Sequence, residues 1–221
     1  MSDPSLDSVR QRFDRDARDF DAIYRLERSL WSRWFNKTFR KAVFERYDIT
    51  LREAGDVAGK NVLDIGCGSG VCSVDFARRG AAKVIGIDFS KNMLALARRE
   101  ADNHGVADRI QFIQMDFLDA TLPREFDVTI AIGVFDYLPD PVMFLKKMAS
   151  VTRGRVIASF PGHSLVRERA RRLRYALSGR GSVFFYTESH VRQLAAAAGF
   201  RSHRIIPIAS SGTGFVLVGD C

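Results

Sequence analysis

The sequence predicts an α/β fold: a seven-stranded, mostly parallel sheet with helices on both faces, the last strand antiparallel, preceded by a helical N-terminal extension. Three observations carry the prediction. From Lys60 onward, short aliphatic runs alternate with helix-like stretches, the pattern of βαβ units. The last two strand-like runs are joined only by a Ser210, Ser211, Gly212 turn, which makes them a hairpin and reverses the final strand. Before Lys60, apolar residues instead recur at three- and four-residue steps, as on one helix face.

The elements follow in order. Phe13, Ala17, Phe20 and Tyr24, then Trp31, Trp34, Phe35, Phe39, Val43 and Phe44, mark amphipathic helix over residues 5–50. The chain therefore divides into an extension, 1–55, that can act as a lid, and a body, 56–221. In the body the strand runs are NVLDIG, KVIGID, IQFIQMD, FDVTIAIG and RVIASF, with FRSHRIIPI and TGFVLVGD forming the hairpin. Helix signals sit between them. Ser69 to Arg79 follows the first run, and Ser90, an N-cap residue type, opens a helix that closes at Gly105. Asp140 with Pro141 at the first helical position starts another. Thr187 and Glu188 start the last, which stops at Gly199. Residues 161–186 form an Arg-rich insertion.

Composition bounds the class. A chain of 221 residues, 46% hydrophobic and 27% charged with 6 Pro, can bury one sizeable core and has neither a disordered nor a repeat composition. No window reaches the ~20 apolar residues of a membrane span. Met1 to Asp21 lacks the apolar core of a secretory signal, so a cytoplasmic location is expected. Cys67, Cys72 and Cys221 are odd in number and scattered, which argues against a disulfide framework and against a metal site. The net charge of +8 is concentrated at Arg167, Arg169, Arg171, Arg172, Arg174 and Arg180, opposed there only by Glu168. Such a cluster fits an anionic substrate, an acidic membrane surface or RNA, or else a solvated helix face.

The chemistry is concentrated in Val62-Leu63-Asp64-Ile65-Gly66-Cys67-Gly68-Ser69-Gly70, an apolar strand running into a glycine-rich turn and then a helix. Glycines there let the backbone approach a bound nucleotide with no Cβ in the way. The dinucleotide fingerprint needs a third glycine where Val71 stands, and Gly70 comes one place early. Asp88 ends the second strand, twenty-two residues after Gly66, where this fold places a carboxylate for ribose hydroxyls. Asp116 follows the third strand in Gln114-Met115-Asp116-Phe117.

An acid two positions before G-x-G-x-G, with acids after the second and third strands, resembles the class I S-adenosylmethionine-dependent methyltransferases, whose fold is Rossmann-like. The match covers Lys60 to Phe160 and the terminal GFVLVGD strand. Gly133-Val134-Phe135-Asp136-Tyr137-Leu138-Pro139-Asp140 looks like the family's segment after strand four, with Tyr137 where a His is usual. Phe13-Asp14-Arg15-Asp16-Ala17 and Phe20-Asp21-Ala22-Ile23-Tyr24 look like the lid helix of small-molecule members, including ubiquinone-pathway and magnesium-protoporphyrin O-methyltransferases. The resemblance implies S-adenosyl-L-methionine as cofactor and S-adenosyl-L-homocysteine as product. It implies cofactor contacts from Asp64, Gly66, Cys67, Gly68, Gly70, Asp88, Phe89, Met93, Asp116, Phe117, Gly133 and Tyr24.

Methyl transfer from a sulfonium expels a neutral leaving group, so positioning is the main requirement and a base is needed only for an acceptor that must lose a proton. Candidate groups are Asp136, Tyr137 and His163, with Arg171, Arg172 and Tyr186 expected to meet the acceptor. The expected acceptor is a small, anionic or lipid-like molecule methylated on oxygen. The alternatives are an RNA or protein methyltransferase, favoured by the sequence pI near 9.7, and a non-catalytic binding protein of this fold. Peripheral membrane contact stays open, as does the choice between monomer and homodimer.

Overall fold

Seven strands pair in the order β3-β2-β1-β4-β5-β7-β6. The computed structural model describes residues 30–138, 140–162, 183–211 and 213–221. Tyr24, His163, Arg171 and Arg172, and with them the helix expected before residue 30 and the arginine cluster, lie outside the described residues. The strands are β1 (Asn61–Ile65), β2 (Lys83–Asp88), β3 (Ile110–Gln114), β4 (Phe126–Ala131), β5 (Thr152–Phe160), β6 (Ser202–Ile208) and β7 (Gly214–Asp220). The helices are α1 (Leu30–Ala54), α2 (Val71–Arg78), α3 (Lys91–Asn103), α4 (Pro141–Val151) and α5 (Glu188–Ala198). The first five strands run parallel, and β7 is antiparallel to both β5 and β6.

Parallel pairing explains the aliphatic runs. A parallel strand is covered by helices on both faces, so both parities of its side chains must be apolar. Leu63, Ile65, Ile85 and Ile87 enter one core with Phe144, Leu145 and Met148 of α4 and Val191, Leu194 and Ala195 of α5. Val62, Val84, Val128 and Ile130 enter the other with Ile49 and Leu51 of α1 and Val74, Phe76 and Ala77 of α2. Each of the Val, Leu, Ile, Met and Phe side chains among them contributes ~1.5–3 kcal/mol by leaving water.

The helix starts use the expected caps. Ser90 Oγ accepts from the Met93 amide, Asp140 from Met143 and Thr187 from His190. Gly199 ends α5 at φ 82°. A single 3-10 turn, Ala209–Ser211, connects β6 to β7.

The order has one consequence for function. β1 lies between β2 and β4, so the chain's progress across the sheet reverses there, and this is the switch point outside whose carboxyl ends an open α/β sheet forms its ligand crevice. Among the described residues, no helix is long and apolar enough to cross a membrane.

Candidate cofactor site

The turn after β1 is built by backbone hydrogen bonds to β2. The Gly66 and Cys67 amides both donate to the Ile87 carbonyl, at 2.7 and 3.0 Å, which curls the chain over the end of β2. A side chain at Gly66 could not follow: its Cβ would stand 2.5 Å from Val134 Cγ2, because the loops leaving β1 and β4 touch there. Gly68 has φ +54°, yet nothing described lies within 4 Å of where its Cβ would be. Its backbone faces open space at the carboxyl end of β1, a cradle that a Cβ would fill. Gly70 then caps α2 without a side-chain bond.

Asp88 organises this turn. One carboxylate oxygen accepts from the Gly68 amide at 2.9 Å and the other from the Ser90 amide at 2.8 Å, so the same group holds the glycine turn and the start of α3. Met115 N donates to the Asp88 carbonyl and the Gln114 side chain to the Phe89 carbonyl, bringing the Asp116 loop beside the end of β2. Asp116 Oδ1 accepts from the Leu118 amide at 2.9 Å. The two acids noted for their spacing are thus neighbours at one end of the sheet.

Asp64 lies deeper. It is 3% exposed and accepts from Ser73 Oγ at 2.6 Å, bracing β1 against α2 beneath the turn. Burial pushes its carboxyl up to about 7, with the negative Asp88 adding to the rise and the Ser73 hydroxyl opposing it. Burial also pushes the Cys67 and Cys72 thiols well up, so neither is a thiolate nucleophile near neutral pH. Met93 and Phe117 are packed into the interior, and the Phe117 ring stands 4.9 Å from that of Phe144. A contact from Phe117 to a nucleotide would come from its backbone.

Opposite the glycine turn, Gly133 follows β4 at φ 78°, its amide donating to Ser159 Oγ at 2.8 Å. A Cβ there would sit 3.6 Å from both terminal nitrogens of Arg46. Arg46 comes from α1, and its charge also reaches Cys72 in the first turn of α2. Its Nε is buried with no hydrogen-bond partner among the described residues. The crevice therefore has a carboxylate at its β2 side and, at its β4 side, a half-buried guanidinium whose Nε is buried without a partner among the described residues.

The sequence reading did not single out Arg46. A signal existed: it falls three residues after Val43 and four before Thr50, both buried, on the inward stripe of an amphipathic helix. A charge on that stripe calls for a reason.

The acceptor-side residues divide. Asp136 is 9% exposed at the end of the β4 crevice, and Tyr137 is half-buried beside it. Phe184 N donates to the Asp136 carbonyl and Tyr186 N to the Pro161 carbonyl, so the segment from Phe184 to Tyr186 lies beside this loop and the end of β5. Tyr186, expected to meet the acceptor, is instead a core residue. It is 3% exposed, its ring packs edge-on against Phe160 at 5.1 Å, and its hydroxyl donates to the Phe135 carbonyl at 3.2 Å. Its aromatic bulk fills the interior under β5, where a pocket wall would have had to be exposed. Burial, with Asp136 nearby, pushes its phenol up.

Comparison with known proteins accords with this geometry. A methyltransferase domain family matches residues 56–177, more than half of the chain. The ubiquinone biosynthesis O-methyltransferase of Aeromonas salmonicida is 34% identical over 148 residues, covering 64% of this chain and 61% of that protein. That of Neisseria meningitidis serogroup C is 37% identical over 99 residues, covering 44% and 42%. The chain thus spans less than two thirds of the length of these relatives. Among solved structures, magnesium protoporphyrin IX methyltransferase from Synechocystis with bound S-adenosylhomocysteine superposes with a TM-score of 0.77 at 20% identity, over 98% of this chain and 99% of that one. The crevice between β1 and β4, the glycine turn braced by Asp88 and the match across residues 56–177 lead to one conclusion: the chain belongs to the class I S-adenosylmethionine-dependent methyltransferase family.

Proposed function

We propose that this protein transfers the methyl group of S-adenosyl-L-methionine to an oxygen, hydroxyl or carboxylate, of a small anionic or amphipathic acceptor, releasing S-adenosyl-L-homocysteine. The observation that carries the cofactor half of this reading is a carboxylate at the end of β2 together with a guanidinium beside Gly133 after β4, both at the carboxyl ends of the strands. In this reading the Asp88 carboxylate at the end of β2 meets the ribose hydroxyls, and Arg46 presents a guanidinium over Gly133 that matches the cofactor's terminal carboxylate. Gly68 leaves the backbone between them open to close approach.

The cofactor supplies a methyl group activated on a sulfonium, whose departure as a neutral thioether needs no protein acid. The protein's part is alignment: an acceptor oxygen held in line at ~3–3.5 Å from the methyl carbon gains most of its rate from proximity and orientation. As the new C–O bond forms and the C–S bond breaks, a hydroxyl acceptor gives up one proton. In this reading Asp136 takes it, with Tyr137 orienting the acceptor and His163 as the further candidate base. A carboxylate acceptor needs no base.

The acceptor half rests on the Aeromonas and Neisseria relatives named above, which methylate oxygen, and on the arginine cluster, whose charge suits an acidic small molecule. Arg171 and Arg172 serve the acceptor in this reading. Their replacement by Glu lowers acceptor turnover and leaves affinity for S-adenosylhomocysteine unchanged.

The test is incubation of the purified protein with methyl-labelled S-adenosylmethionine and separate small-molecule, RNA and protein fractions. Label in the small-molecule fraction supports the proposal. Label in RNA or protein overturns the substrate class, and absence of both labelling and cofactor binding overturns the enzyme reading.

A further inference from the structure

Arg46 is flanked in α1 by two side chains that hold the helix to different parts of the body. On one side Glu45 accepts from two consecutive backbone amides of the β6–β7 connection, Ala209 N on Oε1 and Ser210 N on Oε2, each at 2.8 Å. On the other side the Tyr47 hydroxyl donates to the Asp75 carboxylate of α2, the helix that the glycine turn opens. In an α-helix successive residues are turned by about 100°, so residues 45 and 47 project to opposite flanks of residue 46.

Two attachments on opposite flanks fix the roll of a helix about its own axis, and roll decides where the side chain between them points. A guanidinium carried ~6 Å from the axis moves ~2 Å for a 20° roll. Displacements of that order are enough to lose a directed hydrogen bond to a carboxylate. Packing of Val43, Ile49 and Leu51 resists roll less specifically, because apolar contacts are non-directional.

We infer that Glu45 and Tyr47 are positioning residues that hold α1 at the roll angle at which Arg46 meets the carboxylate end of the cofactor, so that the β6–β7 connection takes part in cofactor recognition. The inference rests on the reading of Arg46 given under Proposed function. Glu45 and Tyr47 touch neither cofactor nor acceptor in this arrangement and act through Arg46 alone.

The test measures binding of two probes by calorimetry: S-adenosylhomocysteine, which carries the amino-acid carboxylate, and 5′-methylthioadenosine, which lacks it. Glu45→Gln and Tyr47→Phe, alone and together, are each compared with and without Arg46→Ala. The expected result is a loss of about 10-fold in S-adenosylhomocysteine affinity for the Glu45→Gln/Tyr47→Phe variant, with methylthioadenosine affinity unchanged and no further loss once Arg46 is Ala. Unchanged methylthioadenosine binding also shows that the variants are folded. Equal weakening of both probes, no weakening, or a loss that persists in the Arg46→Ala background overturns the positioning role. If Arg46→Ala leaves the preference for S-adenosylhomocysteine over methylthioadenosine intact, the reading of Arg46 itself fails. If Arg46→Ala removes that preference and the flanking variants do not reduce it, only the positioning role fails.

Discussion

Asp64 makes the stability of this protein depend on pH in a way that one substitution can isolate. The carboxyl is buried beneath the glycine turn with a Ser73 hydroxyl as hydrogen-bond partner, and Asp88 adds negative potential. Burial first, and Asp88 second, lift it from an ordinary 3.8 to about 7. A folded-state value above the unfolded one means that the favourable contribution is fully present below about pH 4 and is lost as pH rises toward 7, because the unfolded chain releases the proton first. At ~1.36 kcal/mol per pH unit, the span corresponds to about 4 kcal/mol. Asp64→Asn keeps an oxygen for Ser73 and cannot ionise. Its stability relative to wild type should therefore climb by ~2–3 kcal/mol between pH 5 and pH 7 and level off above that. The assay is urea unfolding of both proteins across pH 5–8.5, read as the difference between them, which cancels the titration of groups that do not interact with Asp64. Any fixed cost of burying the Asn amide shifts that difference curve without tilting it. A difference that stays flat across the range refutes the reasoning and means that Asp64 is ionised throughout.

Three further outcomes follow from the geometry. Gly162→Ala would place a Cβ 1.0 Å from the Thr213 carbonyl oxygen, a backbone atom that cannot step aside, so a loss of about 3 kcal/mol or more is expected, with Tm lower by ~6–12 °C. A Tm within 2 °C of wild type, a threshold below the ~2–4 °C expected per kcal/mol, would show that the exit of β5 does not press on the β6–β7 hairpin. Tyr186→Phe removes the hydroxyl bound to the Phe135 carbonyl and should cost ~1 kcal/mol in urea unfolding with acceptor KM unchanged; a raised KM at unchanged stability would return Tyr186 to the acceptor site. Asp88→Ala removes the carboxylate from the glycine turn and the proposed ribose contacts. At about 3 kcal/mol it should weaken S-adenosylhomocysteine ~100-fold by calorimetry, and a change under threefold would count against a cofactor role.

Much of this molecule was legible in the sequence, for local reasons. Each parallel strand is apolar on both faces, so Asn61–Ile65, Lys83–Asp88 and Phe126–Ala131 stand out as runs, and Ser90, Asp140 and Thr187 announce their helices because an N-cap is satisfied within three residues. Asp88 and the glycine turn were found the same way, since spacing along a strand–turn–helix unit fixes their place. Other assignments needed contacts that spacing does not encode. Tyr186 looked like a pocket aromatic beside the arginine cluster, and only the meeting of β5 with the loop after β4 buries it.

Arg46 is the complementary case. It is distant in sequence from every glycine of the motif, and reaches Gly133 because α1 packs across the sheet with Glu45 and Tyr47 tied to elements that come far later in the chain. By itself the sequence determined the strands, the caps and the glycine turn, all of which are settled by interactions within a few residues. Tertiary structure alone decided which charged side chain stands at the crevice with its Nε buried and unpartnered among the described residues, because that depends on how a helix is docked and rolled against a sheet whose strands are drawn from the whole chain.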